Sequence, residues 1–413
     1  MFSRINVPRK ENSTKDCFYI TKIVLFFVLV SIWTISYISS EGLKVIIIGK
    51  MVVPLEKGTM NVEDKIFIPS NQIQKTSTRL DFAQKYPEAH PPNVIMNKDS
   101  AGYIPWSGNG KFSGRTETTL FELKNEVVTT ETVLIRPSGY HLFKYECHPR
   151  FWGWTKQQYH NPTINFTKYD MVTSIGHQHT TDFGHWFLEI LPAFAILPSY
   201  IVENTYIALP IARNFVVDGL EFFGYSKDRI IEGINFPVFA RTLYTVQSSF
   251  CGDLNWFLII RMRDIMIQRL GLNKKAPHRF VMINRVNRSR EIENWKELLS
   301  SVRGKWPQFE WEELSLPNTM AGQLRLFNEM KFVFAIHGSI LSNIISMQDN
   351  TAVIEVQMEN WLLSFIWLGI MTGKYLIEGR DSRIAWTTVK KYNVDIPYML
   401  RLIEAGLKSS NSI

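Results

Sequence analysis

Only three cysteines occur in 413 residues. They form neither a Cys-x-x-Cys pair nor a Cys/His cluster with zinc-ligand spacing, which disfavours a structural zinc site. No internal period and no low-complexity tract is visible, so nothing supports a solenoid. Charge is not concentrated either: 46 Lys and Arg face 38 Asp and Glu, a formal +8 at a pI of about 9.2, and the basic residues are scattered among acids. A nucleic-acid binder would gather them into a patch or stripe. The modest excess instead suits small anionic ligands.

Hydrophobic residues make up 45% of the chain, enough for one large or two medium cores, so two lobes are the default expectation. The apolar run Ile23–Ile38, IVLFFVLVSIWTISYI, extended by Ser39 and Ser40, is long enough to span a thin bilayer of the ER or Golgi type. Before it, Arg4, Arg9, Lys10, Lys15 and Lys22 stand against Glu11 and Asp16. That bias predicts a cytosolic tail at 1–22, a signal anchor at 23–40 and a luminal remainder. A cleaved signal peptide is the competing reading, opposed by the long basic leader and the lack of an Ala-x-Ala-like site. In a lumen, the sequon Asn165-Phe166-Thr167 makes Asn165 a glycan acceptor, whereas Asn12 would lie on the wrong side. Cys147 and Cys251 then either pair or remain free buried thiols.

Residues 41–110 carry proline and glycine punctuation without clear periodicity and read as a stem or spacer. Beyond them strands and helices alternate, which predicts a mostly parallel sheet with helices on both faces. Val127–Ile135 reads as one alternating strand, and Asp253 as the cap of a helix ending at Gly271. The first lobe is expected over 111–272 and the second over 273–413.

Three stretches carry chemistry. In HQHTTDFGHWFLEILPAFAILPSY (177–200), Asp182 is placed to cap a helix that projects His185 and Glu189 at i and i+4 from one face. Such a pair can orient a hydroxyl or take its proton. Taken alone, a capped helix with a surface His–Glu pair is the simpler reading. The strand Arg279–Asn284 runs into Arg285, Arg288 and Arg290, a candidate clamp for phosphate oxygens. A solvated basic turn explains it more simply, and a glycan on Asn287 would block it. In KFVFAIHGSILSNIISMQDNTAVIEVQ (331–357), a strand ends at His337-Gly338, a helix follows, and Glu355 lies in the next strand. That edge is where α/β proteins hold anionic ligands. A plain βαβ unit with an ordinary turn histidine fits that stretch equally well.

Taken in order, these pieces resemble glycosyltransferase family 61, which includes plant xylosyl- and arabinosyltransferases and animal O-linked N-acetylglucosaminyltransferases of the secretory pathway. Asp182-x-x-His185-x-x-x-Glu189-x-x-Pro192 is similar to the family's Asn-x-x-His-x-x-x-acid segment. Arg285 through Arg290-Glu291-Ile292-Glu293-Asn294, followed by Glu297-Leu298, is similar to its arginine-rich strand end. His337-Gly338-Ser339-Ile340-Leu341-Ser342-Asn343 with Val353-Ile354-Glu355 resembles its His-Gly-Ala-Gly-Leu-x-Asn block and trailing Val-Ile-Glu. The resemblance implies a GT-B architecture of two Rossmann-like lobes around a cleft, and a luminal, single-pass type II enzyme of the Golgi or ER. Such an enzyme moves GlcNAc or a pentose from a UDP-sugar to a hydroxyl of a glycan or glycoprotein, with inversion. It implies that Arg285, Arg288 and Arg290 bind diphosphate, that Asn294, His337, Gly338, Ser339 and Asn343 shape the donor site, and that Glu355 holds ribose hydroxyls. Asp182, His185 and Glu189 would face the acceptor, with His185 or Asp182 as base. No Asp-x-Asp motif is present, so a metal is not required, although Mn or Mg is compatible. A catalytically inactive, membrane-anchored binder of glycans or UDP is the alternative.

Overall fold

The computed structural model describes residues 118–136, 139–142, 163–246, 254–286, 288–357, 364–380 and 391–413, with four short strands between 57 and 96. The expected anchor at 23–40, Cys147, Cys251, Asp253 and Asn287 lie outside the described residues. Among the described residues, no helix is long and apolar enough to cross a membrane.

The fold is mixed α/β and contains two large sheets. In chain order its strands begin with β1 (Lys57–Asn61), β2 (Ile66–Ile68), β3 (Ser77–Leu80), β4 (Val94–Met96), β5 (Thr118–Thr129), β6 (Val133–Arg136), β7 (Gly139–Leu142), β8 (Thr163–Ser174) and β9 (Tyr206–Leu209). They continue with β10 (Ile230–Glu232), β11 (Pro237–Val246), β12 (Arg279–Ile283), β13 (Glu291–Ile292), β14 (Trp311–Glu313), β15 (Met330–Ile336), β16 (Ala352–Gln357), β17 (Tyr375–Arg380) and β18 (Lys391–Tyr392). The stretch read as a spacer thus contributes β1–β4, three to the first sheet and one to the second.

The second sheet is parallel throughout, in the order β14-β12-β15-β16-β17-β4. Its central strands, MKFVFAI and AVIEVQ, are buried on both faces save for Lys331. Apolar runs of this kind are stable only where helices cover a sheet on both sides. One face packs on the Trp295–Lys305 and Ile396–Ser409 helices through Leu298, Val302, Leu402 and Ile403. From β12 the chain goes to β14 on one side and then returns to β15 on the other. The carboxyl ends of β12 and β15 therefore flank a topological switch point, where crossover connections diverge and leave a crevice.

The first sheet runs β10-β9-β8-β11-β5-β6-β7-β2, with β1 on β8 and β3 on β5. Its β8–β11 portion is parallel, but β11 pairs antiparallel with β5, and β5, β6 and β7 form an antiparallel meander. The expectation of a mostly parallel sheet thus holds for β8–β11 and for the second sheet, while β5–β7 add an antiparallel portion. That portion also divides the stretch expected to be one strand over Val127–Ile135, because a turn with Thr132 at φ 62° separates β5 from β6. Within the parallel portion β9 and β10 leave β8 on one side and β11 lies on the other. A second switch point falls at the carboxyl ends of β8 and β11.

Helical segments between the sheets join both into one buried cluster. It includes Met171 and Ile175 from the first sheet's edge, Trp186, Phe187 and Phe194 from the segment after it, and Val333, Ala335, Val353 and Leu376 from the second sheet. The Trp256–Leu270 helix in this layer is capped by Asn255, whose side chain accepts from the Leu258 amide, so Asn255 takes the role expected of Asp253. Gly271, at φ 60°, closes it in the left-handed conformation as expected.

Candidate functional site

The carboxyl end of β8 leads directly into a histidine cluster. Ser174 ends the strand, Gly176 packs where any side chain would meet the Thr130 carbonyl at 2.7 Å, and His177 follows, buried. The chain then forms a short helical run over Phe183–His185, a π-helical turn over Trp186–Ile190 and an α-turn over Leu191–Ala195. The widened turn has a local cause. Pro192 has no N–H for the Leu188 carbonyl and its ring crowds that position, and the amide of Leu191 reaches back to Trp186. All five residues of this turn are buried, Glu189 among them.

Glu189 is the hub of the cluster. Its Oε1 lies 2.7 Å from His185 Nδ1 and its Oε2 3.4 Å from His177 Nε2. Burial alone would raise this carboxyl, but hydrogen bonds from His177 and His185 outweigh it and hold the group at about 2. The expected surface pair is thus half internal: His185 is partly exposed and its carboxylate is not. His179 stacks on His185 at 4.6 Å and bonds Asp182 at 3.3 Å. Burial and the neighbouring His185 lower its affinity for a proton. Asp182 occupies the N-cap position with extended backbone, but its exposed carboxylate makes no cap bond and faces His179 instead.

At the switch point of the second sheet, beyond β12, Asn284 closes the arginine loop. Its side chain accepts from the amides of Arg285 and Ile292 at 2.8 and 2.9 Å and donates to the Ile292 carbonyl at 3.0 Å. Arg285 Nε donates to Ser289 O at 2.9 Å. Burial, with Arg290 and Arg288 nearby, brings the Arg285 guanidinium down to about 10. Arg290 is buried with its backbone at φ 68°, and burial lowers its guanidinium as well. Arg288 is exposed. Crowded, partly desolvated cations with depressed proton affinity gain most from a bound anion.

The His-Gly block meets this loop. A Cβ on Gly338 would stand 2.1 Å from Arg285 Nη1, so the guanidinium rests against the main chain just beyond β15. His337 Nδ1 lies 2.5 Å from Glu355 Oε1, and its ring packs on Phe365 at 5.2 Å. After Gly338 comes the expected helix, wound as a 3-10 helix over Ser339–Ser346. The histidine segment reaches the same block: a Cβ on Gly184 would lie 3.4 Å from Ser339 Cβ and 3.8 Å from Ser342 Oγ.

Sequence-predicted residues therefore divide. His185, Glu189, Arg285, Arg290, His337, Gly338 and Ser339 are drawn together through these contacts, with Asp182 and Arg288 on the rim. Three others take structural posts. Asn294 gives both ends of its amide to Val394, at 2.9 and 3.0 Å, and ties the loop to the segment after β18. Asn343 is fully buried and donates to Gln323 and to the Ile340 carbonyl, both at 3.1 Å. Glu355, expected at the ribose, is fully buried behind His337, with its Oε1 against Nδ1 of that ring. Sequence reasoning passed over Asn284, Gly184 and Glu378. Glu378 carried a visible signal, a carboxylate in the middle of the strand YLIEGR. Asn165 is exposed on β8. Among the described residues, no group of three or more His, Cys, Asp and Glu side chains is arranged to hold a metal ion.

Residues 183–354 match the family model described as Glycosyltransferase 61. The matched span opens at the helical run that carries His185 and closes within β16, so it takes in His185, Glu189, the arginine loop and the His-Gly block, while His177, His179 and Asp182 precede it and Glu355 and Glu378 follow it. No curated protein matches the chain.

Proposed function

We propose that this chain, whose matched segment supports membership of glycosyltransferase family 61, uses the two clusters as donor and acceptor sides of one transfer site. The family implies glycosyltransferase activity, with a sugar donor and a glycan acceptor. Our finer reading is a UDP-sugar donor, a hydroxyl acceptor and inversion at the anomeric carbon. The observation that carries it is the meeting of three separate sequence motifs: Arg285 on Gly338, and Gly184 on Ser339.

Arg285 and Arg290 hold the diphosphate, with Arg288 assisting from the rim, and neutralise the charge that grows on it as it leaves. On the facing side, Glu189 accepts the Nδ1 proton of His185 and fixes its tautomer. With the proton held on Nδ1, the basic lone pair lies on Nε2, the nitrogen that takes up a proton. The acceptor oxygen forms its bond to the anomeric carbon as the bond to the phosphate oxygen breaks. The electron pair departs with UDP, and the hydroxyl proton goes to His185. This assignment favours His185 over Asp182 as base, because Asp182 is exposed and lacks a buried partner. The two switch points fit a GT-B-like use of two Rossmann-like halves. The anchor at 23–40, luminal placement in the ER or Golgi and a glycan on Asn165 complete the reading.

The test is to incubate the full-length chain with a panel of UDP-sugars, following protection against thermal unfolding, donor hydrolysis and transfer. Protection by UDP together with turnover of one donor is expected. Protection without turnover would point to the inactive, glycan- or UDP-binding alternative. No response to any nucleotide sugar would overturn the reading.

A further inference from the structure

Beneath the donor edge lies a buried acid pair that the transfer step does not use. Glu355 on β16 and Glu378 on β17 are direct cross-strand partners. In a parallel pair such partners project from the same face. Ala335 is the partner of Glu355 on β15, so His337, two residues further on, shares that face one step closer to the carboxyl edge. The result is a line of three ionisable side chains, Glu378, Glu355 and His337, running toward the edge where Gly338 meets Arg285. None is appreciably open to water: Glu355 is 0% exposed, Glu378 2% and His337 6%.

Two carboxylates side by side without water cannot both keep their charge, so one holds a proton that the other accepts. The neighbours decide which. Glu355 faces His337 Nδ1 at 2.5 Å, whereas Glu378 is buried beside its cross-strand partner Glu355 with no cation of the described residues against it. Burial and the neighbouring Glu355 raise Glu378 well above the ordinary carboxyl range. The pair is therefore arranged with the proton on Glu378, toward Glu355.

We propose that Glu378 is a positioning residue of the donor site: as a neutral acid it donates to Glu355, which then accepts Nδ1–H of His337 and fixes that imidazole at the base of the His-Gly turn. The inference rests on the donor-site reading above, and it adds a residue outside the matched family segment. It separates two kinds of substitution. Glu378→Gln keeps an N–H donor toward Glu355. Glu378→Met fills the same space without one, so Glu355 is expected to take up a proton, donate it to Nδ1 and move the imidazole proton to Nε2.

The experiment uses full-length protein carrying ring-15N histidine, with His337 assigned through His337→Gln, and measures UDP affinity by calorimetry on the same samples. Wild type and Glu378→Gln should show His337 protonated at Nδ1 and should bind UDP alike. Glu378→Met should remain folded, shift the His337 proton to Nε2, and weaken UDP by about tenfold, the range for losing a hydrogen bond to a charged group. A His337 signature unchanged in Glu378→Met would overturn the proposal. So would a changed signature with undiminished UDP affinity. If wild type bound no UDP, the donor reading would fall, and with it the functional role of Glu378. The tautomer comparison would still show whether the proton relay itself exists.

Discussion

The carboxyl edges of the two sheets share one topological device and, on the proposed function, put it to opposite chemistry. Each has a central parallel strand from which connections diverge, and each places its polar residues just beyond that strand. At the first edge the ionisable groups are matched internally: Glu189 sits between His177 and His185, and Asp182 faces His179. At the second the cations Arg285, Arg288 and Arg290 crowd one another, and burial works against the charge of Arg285 and Arg290. The difference is instructive. A proton acceptor needs a fixed tautomer and hence a dedicated partner, whereas an anion site needs positive charge left incompletely compensated until the ligand arrives.

The sharpest way to break this division is His185→Ala. Transfer should fall by about 100- to 10,000-fold, the usual contribution of a general base, while UDP affinity stays at the wild-type value in calorimetry. Weakened UDP binding with transfer retained would reverse the roles of the edges. Next in size are Arg285→Ala and Arg290→Ala, each expected to weaken UDP by about tenfold or more through loss of a charge-assisted hydrogen bond.

Gly338→Ala sharpens the same point. The added methyl meets the tip of a flexible arginine, so Arg285 should swing away. UDP affinity should then drop as in Arg285→Ala, with little change in melting temperature. Glu189→Gln tests the other edge through stability. Because the folded-state carboxyl lies at about 2 against an ordinary 4.5, its contribution is complete above about pH 4.5 and is lost as pH falls toward 2. The variant should be destabilised at neutral pH by about 2 kcal/mol, and the gap should close in denaturant titrations at acid pH. Arg288→Ala should have the smallest effect, within about twofold on UDP affinity, because an exposed cation gains little from a ligand that water also screens.

Much of the second half was legible in the sequence, because a strand buried on both faces announces itself as an unbroken apolar run. The strands ending at Ile283 and Ile336 and the residues just past them could be placed from pattern alone. The first half was harder to read. Antiparallel pairing of β11 with β5 depends on partners more than a hundred residues apart, and no local signal distinguishes it from parallel pairing. Likewise, spacing put His185 and Glu189 on one helical face. It could not show that a proline-induced π-turn buries Glu189 or that His177 comes back to share it. Nor could the motifs show that Asn294 bonds Val394, that Asn343 bonds Gln323 and the Ile340 carbonyl, or that Glu355 lies behind His337, since each contact depends on how separate segments meet.

The apolar layer shared by the two sheets has a thermodynamic corollary. With Met171, Phe187, Val333 and Leu376 all in one buried cluster, the two edges stand on one shared apolar layer, although each sheet also has a buried cluster of its own. Calorimetric heating should accordingly give a single cooperative melt for the described region, with the histidine and arginine edges disappearing together.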